Sequence, residues 1–262
     1  MVSITIDCEE WNSPYLRGKE DSDNFSTAFS REGNMALLAL FAKHDIKATF
    51  FITGFFAQRE PENVRQILKD GHEIACHGYE HHYRNRSFDI EKDVIKAKEI
   101  LEQITQKKIK GFRAPQATYS EELLRILDKC GFIYDSSLHP AYLPGYYNNR
   151  KAPLHIHKPL PNSSLLEIPV AVMPKTRLPI VWMFMRNIGV WWTQRGINAL
   201  VKRKINPVIY VHSWEFVPLI SKGVPFYFKR KTGEPFLKML EKFIILNKKR
   251  GQEFYRLDQT IV

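Results

Sequence analysis

Strand-length apolar runs alternate with helical segments five times in the first half of this 262-residue chain. That alternation points to a parallel sheet covered by helices. Val2–Asp7 is a β-branched run ending in an acid, and Met35–Lys43 carries helical apolar spacing. Ile46–Ile52 (IKATFFI) is apolar almost throughout, as expected of a strand covered on both faces. Pro61–Asp70 predicts a helix closed by Gly71, with His72–Cys76 as the next strand. Phe88–Gln106 predicts a long amphipathic helix and Ile109–Phe112 a strand. Ser120 opens a further helix that Gly131 closes, before a strand at Phe132–Tyr134.

The second half is less regular. Pro140–Pro161 reads as loop, Leu165–Val170 as a strand, Trp191–Lys204 as a helix and Val208–His212 as a strand. A helix at Pro235–Arg250 and a last strand at Phe254–Leu257 complete the pattern. Single α/β barrels commonly run to about 200–250 residues, so residues 1–262 are expected to form one domain. Reactive residues stand directly after the predicted strands, which favours a barrel, because barrels collect their sites at the carboxyl ends of strands.

Charge and cysteine content narrow the functional classes. Lys and Arg number 39 against 28 Asp and Glu, a net charge of +11 that favours an anionic partner. The basic residues fall in short clusters, KKIK, VKRK, FKRK and NKKR, with no reader motif beside them, so nucleic acid is not expected as a partner. The start, MVSITIDCEEW, lacks a basic flank and an apolar core, and the chain is expected to begin at Met1 without a signal peptide. Cys8, Cys76 and Cys130 form no CxxC pair, which suits a reducing compartment and a cytoplasmic location. Arg186 and Asn187 interrupt the apolar stretch Leu178–Trp192, which is shorter than the roughly 20 residues that span a bilayer.

Four segments carry the chemistry. In ITIDCEEW, strand alternation sets Asp7 and Glu9 on one face, where two carboxylates repel unless a cation sits between them. In GHEIACHGYEHH, His77 and His81 are four apart, and on a helical turn that spacing aims two imidazoles at one point. Two His and one carboxylate leave positions open for water and substrate, as in catalytic zinc sites. Arg113 in GFRAP follows a strand and suits a bidentate hold on a carboxylate. His212 in VIYVHSWEF ends an apolar strand with Trp214 and Glu215 beside it.

Taken in order, IDCEE, HGYEH, RAP and YVH resemble the motifs of the NodB-homology polysaccharide deacetylases, carbohydrate esterase family 4. ATFFITG, YDSS and YVHSWEF add to the likeness, the last being closest to a branch associated with exopolysaccharide biosynthesis. The resemblance covers nearly the whole chain. It implies a distorted (β/α) barrel with fewer than eight regular units, and a divalent metal, usually zinc. It assigns Asp7 as catalytic base, His77 and His81 as metal ligands, Arg113 as the residue orienting the base and His212 as catalytic acid. The first motif departs from the common adjacent Asp pair, since Cys8 stands where the second Asp would be. A D-x-E form exists in the family and agrees with strand alternation, so Glu9 is taken as third metal ligand, with Glu10 and Cys8 as alternatives. Trp214 and Pro115 are taken as substrate-binding residues. The partner that tunes His212 stays open among Asp135, Glu167 and Glu215.

The implied activity is removal of acetyl groups from N-acetylated sugars of a polysaccharide or a lipid-linked precursor. Trp191, Trp192, Trp214 and the tyrosines at 142, 146 and 147 are candidate faces for a sugar ring. The basic-flanked apolar stretch Arg177–Arg203 adds an anionic membrane surface and a polyprenyl-linked sugar as candidate partners, with a peripheral location at the membrane. Cleavage of small cyclic amides or ureides, and metal-containing carbohydrate binding without turnover, are the rival readings. The oligomeric state is not legible.

Overall fold

The computed structural model describes residues 1–13, 26–81, 89–144, 147–220 and 223–261. Its elements in chain order are β1 (Ser3–Cys8), α1 (Ala28–Lys43), β2 (Thr49–Ile52), α2 (Gly54–Arg59), α3 (Pro61–Lys69), β3 (Glu73–Cys76), α4 (Ile90–Thr105) and β4 (Gly111–Phe112). They continue with α5 (Glu121–Lys129), β5 (Tyr134–Asp135), β6 (Tyr142–Leu143), β7 (Tyr147–Asn148), β8 (Leu166–Glu167), α6 (Trp182–Ile188), α7 (Val190–Val201), β9 (Val208–His212), α8 (Phe226–Lys229) and α9 (Glu234–Lys248). Seven strands pair in the order β8-β5-β4-β3-β2-β1-β9, every pair parallel, and β6 and β7 form a separate antiparallel ribbon. The sheet curls into a half-barrel, the distorted (β/α) barrel of fewer than eight units expected from the sequence. Ala171 N donates to Val208 O at 2.8 Å, so the chain leaving β8 reaches back to the start of β9 across the gap.

Alternation along the strands divides the interior. Ile4, Ile6 and Cys8 of β1, Phe50 and Ile52 of β2 and Ile74 and Cys76 of β3 join the main apolar core that the helices cover. The intervening Phe51, Ala75 and Tyr134 form a second cluster with Ile168, Val208 and Leu257. Asp7 alternates with Ile6 and Cys8 and so faces away from the helix layer. Local signals set several helix starts. Ser120 Oγ accepts from Leu123 N at the head of α5, and Asp89 Oδ1 accepts from Lys92 N at the head of α4.

The structure corrects three sequence expectations. His77 and His81 lie on a bent loop, not a helical turn, because Gly78 takes φ +71° and breaks any helix there. Phe254–Leu257 is no strand. Phe254 makes one isolated bridge to Val2, and a 3₁₀ turn at Leu257–Gln259 follows. The apolar run before Trp191 holds an additional helix, α6, separated from α7 by Gly189 at φ +129°. Among the described residues no helix is long and apolar enough to cross a membrane.

Gly33 marks the closest approach of α1 to the segment after β9. A Cβ on Gly33 would overlap the Ser213 carbonyl oxygen. Backbone cannot yield as a flexible side chain can, so Gly33→Ala is expected to destabilise the fold by about 1–3 kcal/mol. A lower thermal unfolding midpoint in circular dichroism is the check.

Candidate active site

The carboxyl ends of the central strands stand level. Asp7 is in register with Phe51 and His212, Ile52 with Cys76, Cys76 with Phe112, and Phe112 with Asp135. Residues just beyond those ends therefore converge, and a cavity of about 400 Å³ opens there. Asp7, Glu9, His77, His81, Arg113, His212 and Trp214 all line it, so these sequence-predicted residues meet in one place. Pro115 does not. It is buried at the start of a 3₁₀ turn, and Ala114 and Gln116 on either side face the cavity instead.

Glu9 is placed by bonds at both ends. Its carbonyl accepts from Ser30 Oγ on α1, and its Oε1 accepts from Trp214 Nε1 at 3.0 Å. Oε2 is left pointing at the histidines, 2.8 Å from His81 Nε2 and 3.5 Å from His77 Nε2, with no hydrogen bond of its own among the described residues. His77 Nδ1 stands 2.7 Å from Arg113 O, which fixes the proton on Nδ1 and leaves the Nε2 lone pair facing Glu9. His81 is held through its backbone. Its N donates to Glu10 Oε1 at 3.1 Å, and the preceding Tyr79 and Glu80 amides donate to the Asp93 carboxylate.

One oxygen and two nitrogens within 4.8 Å of one another, all on buried residues, are a donor set that fits a divalent metal. Burial pushes the Glu9 carboxyl up, but His81 and His77 outweigh it and hold Glu9 well below the usual range. The His81 ring is correspondingly raised by Glu9, against its burial. Neither alternative ligand joins the cluster. Glu10 accepts from Thr53 Oγ1 and the His81 amide, and burial raises its carboxyl. Cys8 faces the helix layer, where its Sγ accepts from Asn34 Nδ2 and burial pushes its thiol up to about 12.

Arg113 grips Asp7 from inside the half-barrel. Its Nη1 lies 2.7 Å from both Asp7 Oδ1 and Thr5 Oγ1, while Nε and Nη2 bond to Ser136. The fork thus ties β1, β4 and β5 together and fixes the Asp7 carboxylate in the cavity wall.

Of the three candidate partners for His212, the structure puts Glu215 beside it. Glu215 Oε2 accepts from His212 N at 3.0 Å and lies 3.5 Å from its Nδ1, and burial of the ring is outweighed by Glu215 together with the Glu9 and Asp7 carboxylates, so the His212 pKa is raised. Glu215 Oε1 in turn lies 3.1 Å from Nε of Arg186, both side chains being wholly buried. Asp135 and Glu167 sit behind Arg113 instead. Burial raises both, Glu167 the more because Asp135 lies against it.

Aromatic rings form one wall. Trp182 and Trp214 stand edge-on and stacked, respectively, against His212, and Trp11, Tyr210 and Phe228 also line the cavity. Trp11, Trp182, Tyr210 and Phe228 are not among the sequence candidates; Trp182 lies in an apolar run that reads as core, and Phe228 opens the basic cluster FKRK. Trp191, Trp192 and Tyr142 do not line the cavity, and Trp192 Nε1 is spent on Pro179 O. His82 and Tyr146 lie outside the described residues, as does the side chain of Tyr147.

A polysaccharide deacetylase family model matches residues 23–134, and a domain of unknown function, DUF3473, matches residues 136–261. The chain is 36% identical over 155 residues to the peptidoglycan deacetylase of Helicobacter pylori, covering 56% of this chain and 52% of that protein. It is 32% identical over 99 residues to the chitooligosaccharide deacetylase of Azorhizobium caulinodans, covering 37% and 47%. The chain spans about half the length of these curated relatives. Among solved structures, a Mycobacterium smegmatis protein assigned as a polysaccharide deacetylase superposes with a TM-score of 0.70 at 22% identity, over 99% of this chain and 88% of that one. Puue allantoinase superposes at 0.65 and 17%, over 99% and 88%, so the same fold also hosts a protein named for another substrate.

Proposed function

From the match of the polysaccharide deacetylase family model to residues 23–134, together with the site geometry, we propose that residues 1–262 form one catalytic domain, a metal-dependent N-deacetylase of N-acetylated sugars. The observation that carries the reading is the convergence of Glu9, His77 and His81 beside the Arg113-held Asp7 and the Glu215-backed His212 in one cavity. Pure binding needs neither a spare base nor a spare acid. The substrate class is a polysaccharide or a lipid-linked glycan precursor, in keeping with an exopolysaccharide pathway. The free thiols of Cys8, Cys76 and Cys130 suit action in the cytoplasm.

Glu9 Oε2, His77 Nε2 and His81 Nε2 would hold the metal, for which zinc is the proposed identity. When bound, it would supply Lewis-acid chemistry and make water more acidic. Asp7 removes a proton from the attacking water while Arg113 keeps the carboxylate aimed into the cavity. The water oxygen forms a bond to the acetamide carbon. Protonated His212 then donates to the amide nitrogen as the carbon–nitrogen bond breaks, giving free amine and acetate. The raised His212 pKa supports this acid role near neutrality. Trp214 serves twice, orienting Glu9 through its Nε1 and presenting ring surface to the sugar.

Asp7→Asn tests the assignment. Asparagine keeps the shape but accepts no proton, so acetate release from N-acetylated oligosaccharides is expected to fall by about 10²–10⁴ while metal content is retained. Full activity in that variant overturns the role of Asp7. Activity of the native protein on cyclic ureides, with none on acetylated sugars, would move the reading to that class.

A further inference from the structure

The charge of this chain is concentrated in one stretch. From Ile168 to Gly233, 66 residues hold eleven Lys and Arg against one acid, Glu215, so this stretch carries ten of the chain's eleven net positive charges. The lone acid is buried against Arg186 and offers nothing to the outside. The other three-quarters of the molecule is close to neutral.

The same stretch exposes large apolar side chains. Trp191 is 60% exposed, Phe226 72% and Ile220 90%, with Ile188 and Tyr227 also open to solvent. Ile188, Trp191, Phe226 and Tyr227 belong to the adjoining elements α6, α7 and α8, and Ile220 to the loop that precedes α8. Asn187 Nδ2 donates to Tyr227 O at 3.0 Å, Arg230 Nη1 donates to Asn187 O at 3.0 Å, and Gly189 alone separates α6 from α7. Cations are interleaved with these residues. Arg195 and Lys202 line a shallow groove with Trp191, and that groove has no acidic residue in its walls. Arg203 and Lys204 follow, exposed, and Arg230 and Lys231 close α8.

A hydrophilic polyanion, whether acidic polysaccharide or nucleic acid, would account for the cations. It gives no reason for exposed isoleucines at 188 and 220, which can neither stack on a base or sugar nor bond to one. Apolar and aromatic side chains among Lys and Arg match an interface where headgroup phosphates meet acyl chains. We infer that the face built by α6, α7 and α8 docks on an anionic phospholipid bilayer. The inward side chains of two of those elements, Trp182 and Phe228, line the cavity, so docking sets the cavity rim beside the membrane. A lipid-linked sugar would then reach the metal ligands without leaving the bilayer surface, a consequence that rests on the deacetylase reading whereas the docking does not.

Vesicle flotation without substrate separates the two. The purified chain is expected to float with phosphatidylcholine vesicles containing phosphatidylglycerol at about one part in three, and to bind pure phosphatidylcholine at least about tenfold more weakly. Lys202→Gln/Arg203→Gln/Lys204→Gln should weaken the anionic-vesicle binding by roughly a hundredfold, at about fivefold per charge. Trp191→Ser/Phe226→Ser should abolish the part that survives high salt, with circular dichroism reporting that each variant is folded. No flotation overturns the proposal. So does equal binding of the native chain and the Trp191/Phe226 variant, with polygalacturonate displacing both, because the face would then read charge alone. Flotation without acetate release in any assay would keep the docking surface and remove the deacetylase reading.

Discussion

His77→Ala is expected to abolish acetate release, lowering kcat/KM by at least about a thousandfold, and to release the metal from the protein. His77 is 1% exposed, its Nδ1 is bound to Arg113 O, and its Nε2 lies 3.5 Å from Glu9 Oε2 in the cluster that also holds His81. Alanine leaves one oxygen and one nitrogen, one protein donor short of the three that a catalytic zinc site uses. The Lewis-acid contribution is worth several kcal/mol of barrier, and each 1.4 kcal/mol is about a factor of ten. The checks are metal content by plasma emission spectroscopy and acetate release from N-acetylated oligosaccharides. Chelation of the native protein should have the same effect and be reversed by adding zinc. About one metal per chain in His77→Ala, with activity intact, would refute the ligand set.

The contrast between the two histidine-bearing segments explains what a sequence can disclose. Val208–His212 was legible to the residue, because an apolar β-branched run of five ending in a polar residue has few other ways to fold. The convergence of Asp7 and Glu9 on the cavity was legible from strand alternation together with the D-x-E form of the resemblance, although β1 itself ends at Cys8. The loop from His77 to His81 was not. Its spacing suits a helical turn equally well, and the actual bend is imposed by Gly78 and by two distant carboxylates, Asp93 and Glu10, that bind its amides. Tertiary bonds of that kind leave no local trace.

Helix α6 was hidden differently. Leu178–Trp192 has no polar face to give a period, and Val181 at its N-cap offers no side-chain bond. Arg186 looked like an interruption to the run, yet it is its most informative residue, since only the fold reveals the acid it meets. The alternatives for the His212 partner were open for a related reason. Asp135, Glu167 and Glu215 all follow or flank strand ends, and burial behind Arg113 removes the first two from the cavity's acid while Glu215 turns back on its own 3₁₀ segment.

That meeting gives the second large effect. Arg186→Met is expected to cost about 3–5 kcal/mol of stability and to impair catalysis, although residue 186 does not line the cavity. Arg186 Nη1 donates to Phe228 O at 2.7 Å and Arg230 O at 2.8 Å, so its guanidinium also anchors α8 beneath the aromatic wall. Methionine fills comparable volume but strands two carbonyls and leaves Glu215 buried without its cation. Restoring neutrality with Arg186→Met/Glu215→Gln should recover part of the loss, since an uncompensated buried charge costs more than an absent pair. Thermal unfolding of the three proteins measures this. The catalytic consequence has its own sign. Glu215 raises the His212 pKa, so Glu215→Gln should lower it and move the alkaline limb of the kcat/KM profile toward acid pH, because less of the ring is protonated at a given pH. An unshifted limb with an equally reduced melting point would make the pair a structural strut only, and the acid assigned to His212 would need another partner.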